Sequence, residues 1–159
     1  MDKKKNKIIA IVIGVVIILS LLIYFILKPT NNVSNVYTLN EDIGYQDNYV
    51  LVGVASSKLE QEKILTNYML KTYESHDDFD ENSYAYVVGT SSDCDNNTEV
   101  LTQKIFGKYK IIIKQIIDKS SHMEGENFVI NNTCNNAPKM YEIKLKKGVL
   151  ESDLTIVEK

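Results

Sequence analysis

The chain of 159 residues carries 18 basic and 21 acidic side chains, a net charge of −3, with two cysteines and two histidines. Every basic residue is lysine, so no arginine finger and no bidentate guanidinium clamp on phosphate or carboxylate is available. Residues 1–28 hold five lysines and one aspartate, which leaves residues 29–159 strongly acidic and argues against a nucleic-acid or anionic-lipid partner for that part as a whole.

The chain opens with Lys3, Lys4, Lys5 and Lys7, followed from Ile8 to Leu27 by twenty residues of which sixteen are Ile, Leu, Val or Phe. As a helix this run would rise about 30 Å, the thickness of a bilayer's hydrocarbon core. It is longer than the usual apolar region of a cleaved signal and ends in Leu27-Lys28-Pro29-Thr30 without a small-x-small cleavage site. The expectation is a retained single-pass signal anchor that contacts the membrane through Ile8 to Leu27. The lysine bias places the N-terminus in the cytoplasm and the C-terminal domain outside it. The organisation expected is a cytoplasmic basic N-terminus (1–7), a transmembrane helix (8–27), a polar tether (28–35) and an extracytoplasmic α+β domain (36–159).

Within that domain, Val36–Leu39 and Tyr49–Val54 read as strands, the second β-branched and largely apolar. Ser57 begins a helix, with Glu60 three residues on completing a capping box, and apolar residues at helical spacing carry it to about Glu74. Ser83–Thr90 is a further strand, so this region reads as a β-α-β unit. From Thr98 to Lys119, Leu101, Ile105, Tyr109, Ile112, Ile113, Ile116 and Ile117 share a helical face, and a helix bent near Gly107 is expected. The alternation of Tyr109, Ile111 and Ile113 also suits a strand. Asn127–Asn131 and Met140–Lys146 read as strands, and Lys147-Gly148 turns into Leu150–Glu158 as a C-terminal hairpin. The fold class expected is α+β, with one sheet of about five strands and two helices on one side, beyond the N-terminal transmembrane helix.

Chemistry-bearing patterns are sparse. The seven glycines are too scattered for a G-x-G-x-x-G loop, a P-loop or a G-x-S-x-G elbow. His76 and His122 stand in no distinctive setting and read as surface residues. No catalytic residue, no cofactor and no zinc site is assigned. Asp78, Asp80 and Asn82, and again Asp93, Asp95 and Asn97, match the start of a D-x-D-x-N calcium loop. Both lack the glycine at the sixth position and the glutamate at the twelfth, so they are weak calcium candidates. Cys94 and Cys134, on the side expected to be exported, read as a disulfide closing a loop of about forty residues, against free thiols or an intermolecular link. Tyr84 and Tyr86 alternate on one strand and could offer a ligand platform, core packing being the alternative. Asn32, Asn96 and Asn131 are glycosylation acceptors by sequence alone.

The function expected is a membrane-anchored, non-catalytic extracytoplasmic interaction domain. It would be a subunit or accessory factor of an envelope, secretion, conjugation or virion membrane assembly, with a protein partner there. The alternatives are a small hydrolase using the acidic pairs Asp77/Asp78 or Glu41/Asp42, and a ligand-binding or inhibitory domain.

Overall fold

The computed structural model describes residues 2–39, 48–68, 70, 72–90, 98–115 and 138–158. It contains helices α1 (Asp2–Leu27) and α2 (Lys58–Asn67) and strands β1 (Val33–Thr38), β2 (Val50–Ala55), β3 (Asn82–Thr90), β4 (Thr98–Ile105), β5 (Lys108–Gln115), β6 (Pro138–Lys146) and β7 (Leu154–Glu158). The strands form two sheets. One has the order β1-β6-β3-β2 and is antiparallel throughout; the other has the order β4-β5-β7, with β5 and β7 parallel.

Strand alternation builds the layers. On β3, Ala85 and Val87 join a cluster with Val100, Tyr109, Ile111 and Ile113 of the second sheet, while Tyr84, Tyr86 and Val88 join Leu65 of α2 in another. On β6, Tyr141, Ile143 and Leu145 point toward the second sheet and Met140 toward the helix side. The four-stranded sheet is therefore covered on both faces, which is why the middle of β3, Tyr84 to Val88, is a continuous run of large apolar and aromatic residues and alanine.

Helix α2 starts as its capping residues dictate. The Ser57 side chain accepts from the Glu60 amide, and Glu60 reaches back to the amide of Ser56, one residue earlier than a standard capping box. The helix ends at Asn67, short of the expected Glu74. Strands β2 and β3, which flank it, are antiparallel neighbours. The expected β-α-β unit is thus a helical connection between paired antiparallel strands.

Three expectations about the fold are corrected. The single sheet of about five strands is two sheets with seven strands. The bent helix over Thr98–Lys119 is instead a hairpin, β4 and β5, whose turn places Phe106 at φ +48° and Gly107 at φ +84°. Two consecutive positive φ values give the twist that a tight hairpin needs. Ile111, off the proposed helical face, is fully buried, so the period of two prevailed over the helical period. The C-terminal hairpin is absent: after a turn at Lys147-Gly148 the chain crosses to the other sheet, where β7 pairs in parallel with β5. The expected strand at Asn127–Asn131 lies outside the described residues.

The membrane expectation is also corrected. Among the described residues, no helix is long and apolar enough to cross a membrane. The single-pass anchor over Ile8 to Leu27 and the topology built on it, with a cytoplasmic N-terminus and an extracytoplasmic domain, are therefore set aside. The polar stretch after α1 is docked rather than loose. Thr30 and Thr102 exchange backbone hydrogen bonds of 2.8 and 2.7 Å, and the Asn32 amide donates to Thr102 Oγ1 at 2.6 Å.

A Cβ added at Gly89 would lie 2.2 Å from Tyr49 Cδ1, inside a buried ring. Gly89→Ala is expected to lower stability by about 1–3 kcal/mol, read from urea unfolding.

Candidate functional site

The most highly connected polar centre among the described residues is built on Glu142, in the middle of β6 and fully buried. Alternation turns it, with Met140, toward the α2 side. Across the strands it faces Asn35 on β1 and Tyr86 on β3. A register shift in β1 between Val33 and Asn35 brings two consecutive side chains to the same carboxylate oxygen. Ser34 Oγ and Asn35 Nδ2 each donate to Glu142 Oε1 at 2.9 Å. Tyr86 Oη donates to Oε2 at 2.8 Å and Tyr37 Oη at 3.3 Å.

Helix α2 and the segment after it close the centre. Gln61, fully buried on α2, directs its amide to Glu142 Oε2 at 3.4 Å and to the Glu74 carbonyl at 3.1 Å, and its Oε1 accepts from the His76 backbone amide at 3.3 Å. This holds His76 so that its Nε2 lies 2.6 Å from Glu142 Oε1. A carboxylate only accepts, so Nε2–H is the donor of this hydrogen bond. The imidazole stacks on Tyr84, with centroids 3.9 Å apart and planes 5° from parallel. Its side chain is 17% exposed.

A second carboxylate sits beside the first. Asp78 accepts from Tyr84 Oη at 2.6 Å, Lys144 Nζ at 2.6 Å and Asn82 Nδ2 at 2.8 Å. The Lys144 hydrogen bond first, and that of Tyr84 second, hold the Asp78 pKa down at about 2. The phenols of Tyr37 and Tyr86 are raised by burial and then by the charge of Glu142, and that of Tyr84 by burial and then by its bond to Asp78. All three phenols therefore stay protonated as donors at neutral pH.

A histidine oriented by a buried carboxylate is half of a base-activated nucleophile. The other half is missing among the described residues, where no hydroxyl or thiol hydrogen-bonds to His76 Nδ1. Glu142 itself is saturated by six internal partners and has no solvent access, so it offers neither a proton nor a lone pair to a ligand. The arrangement orders the protein's own segments around a charge.

Of the residues expected to form sites, Asp78 and Asn82 are bonded to each other, Asp78 is ion-paired to Lys144, and Asp80 is exposed. Among the described residues, no group of three or more His, Cys, Asp or Glu could hold a metal ion. Asp77 is paired with Lys58. Tyr84 and Tyr86 are 1% and 0% exposed, with their hydroxyls spent on Asp78 and Glu142, so neither presents a ring face to solvent. Asp93, Asp95, Asn97, Cys94, Cys134, Glu41, Asp42 and His122 lie outside the described residues, and no disulfide occurs within those described. His76 and Glu142 were missed by sequence reasoning. The signal for Glu142 was present: in MYEIKLK, an acid shares a strand face with Met140 while the opposite face is wholly apolar. Compared with known protein families, characterised proteins and solved structures, the chain finds no match.

Two measurements test this account. Glu142→Ala strands several buried donors and is expected to cost about 3–5 kcal/mol in unfolding free energy, whereas Glu142→Gln keeps the volume and costs about 1–3 kcal/mol. For Asp78 the folded pKa of about 2 lies below the ordinary 3.8. Its contribution is therefore fully present above the ordinary value and is lost as pH falls toward the folded one. Urea midpoints of wild type and Asp78→Asn should differ near neutral pH and converge between about pH 4 and about pH 2; because Asp78 is partly exposed, the gap is modest.

Proposed function

We propose that the chain is a non-catalytic interaction subunit or accessory factor of a multiprotein assembly, with α1 as the element that docks into its partner. The observation that carries this reading is the surface of α1. Ile11, Val12, Ile13, Ile17, Ile18, Leu21 and Leu22 each keep more than half of their area exposed, so the helix is apolar on every side and uncovered. Apolar area left in water costs about 25 cal/mol per Å², and a continuous exposed patch of this kind marks an interaction surface. A helix without a polar face suits enclosure among other apolar helices rather than one-sided packing on a sheet. The partner this chemistry fits is a protein presenting apolar helices.

The domain supplies a fixed base for that helix. Gln103 on β4 bonds the Leu27 carbonyl, and the Thr30–Thr102 pairing follows three residues later. The polar centre at Glu142 is closed upon itself, which favours a scaffold over a reaction site. The hydrolase alternative has its best footing at His76 and Glu142, since Asp77 and Asp78 are each engaged by a lysine.

The test is photo-crosslinking in the source cell, using a photoreactive residue at Ile13, Ile17 or Leu21 of the full chain and, for comparison, at Glu62 or Lys63 on the exposed side of α2. Discrete protein adducts from the α1 positions only, lost on introducing Ile18→Asp, are expected. Adducts equally frequent from α2, or none from α1, would reject the proposal.

A further inference from the structure

A recess of about 470 Å³ lies where the end of α1 meets both sheets, and among the described residues its lining contains four lysines, Lys28, Lys104, Lys144 and Lys146, and no carboxylate. This is opposite in sign to the acidic composition of residues 29–159 as a whole. Lys144 is neutralised by Asp78 at 2.6 Å. Among the described residues, Lys28, Lys104 and Lys146 have no ion-pair partner, and Lys104 Nζ stands 5.3 Å from the ring centre of Tyr109. Three uncompensated ammonium groups thus surround one concavity.

The opposing influence is small. The C-terminus of α1 carries about half a negative charge, and its Leu27 carbonyl is already capped by the Gln103 amide. The polar wall is preset, because Thr30, Asn32 and Thr102 are bonded to one another and contribute no loose groups. The other wall is apolar, formed by Phe25, Ile26 and Leu145. The volume falls in the range of about 300–1,000 Å³ usual for small-molecule sites.

A phosphomonoester carries about −1.5 to −2 charges at neutral pH, which matches the lysines in sign and size. Lysines act on phosphate as point charges and need no fixed fork geometry, so the lack of arginine is no obstacle. We propose that this recess binds a small phosphomonoester with an apolar organic part. Lys28, Lys104 and Lys146 hold the phosphate, and Phe25 and Ile26 face the rest of the molecule. The phosphate can belong to a soluble metabolite-sized ester or to the headgroup of an acyl-chain amphiphile, and the experiment separates the two.

The experiment is isothermal titration of the full-length chain with inorganic phosphate, phenyl phosphate and dihexanoyl phosphatidic acid kept below its aggregation concentration. Saturable binding of at least one ester is expected, tighter than that of inorganic phosphate and weakening as salt is raised. Whichever ester binds more tightly identifies the source. Lys28→Gln, Lys104→Gln and Lys146→Gln should each weaken binding roughly five- to tenfold, while Lys63→Gln on α2 leaves it unchanged. These are exposed side chains, and matching thermal melts would show that the variants fold. No saturable binding below about 10 mM would overturn the proposal. So would binding indifferent to the three lysines, inorganic phosphate binding as tightly as either ester, or a hexaglutamate peptide binding more tightly with the same lysine dependence, which would assign the recess to an acidic protein segment.

Discussion

A carboxylate removed from water is tolerable only where hydrogen-bond donors meet its charge, and the described part of this fold is arranged around one such group. The six partners of Glu142 come from β1, α2, the segment following α2, and β3. Each of those segments also has an apolar reason to be where it is, but hydrophobic contact is non-directional and would accept several neighbouring placements. Hydrogen bonds to one buried charge accept far fewer. The irregular register of β1 illustrates this, since a regular strand would send Ser34 and Asn35 to opposite faces and only one could reach Glu142 Oε1.

The same centre organises its surroundings by passing order outward. Gln61 positions the His76 backbone, His76 stacks on Tyr84, and Tyr84 donates to Asp78, which in turn holds Lys144. Glu142 and Lys144 lie two residues apart on one strand face, so the chain of contacts returns to the strand on which it began. Aromatic side chains carry much of it, and burial keeps their phenols protonated as donors.

How much of this was legible beforehand differs by element. Local signals were read well where chemistry is local: Ser57 caps α2, and the β-branched run before it is β2. The hairpin of β4 and β5 was misread because consecutive isoleucines satisfy both periods, and only a partner strand and the positive φ at Gly107 separate the two readings. The crossing of β7 into the other sheet is a long-range pairing with no local signature. The charge at the centre of the candidate site had a signal in MYEIKLK, but its donors were illegible for the same reason. Nothing near Glu142 in sequence announces donors that lie up to about a hundred positions away.

The strand order also bears on how the chain reaches this state. Among the described strands, β1 has β6 as its one neighbour, and β7 completes the second sheet beside β5. During synthesis, the β1 segment, rich in polar side chains, must therefore wait for a strand about a hundred positions later to leave the ribosome. Such non-local closure makes for slow acquisition of the native state.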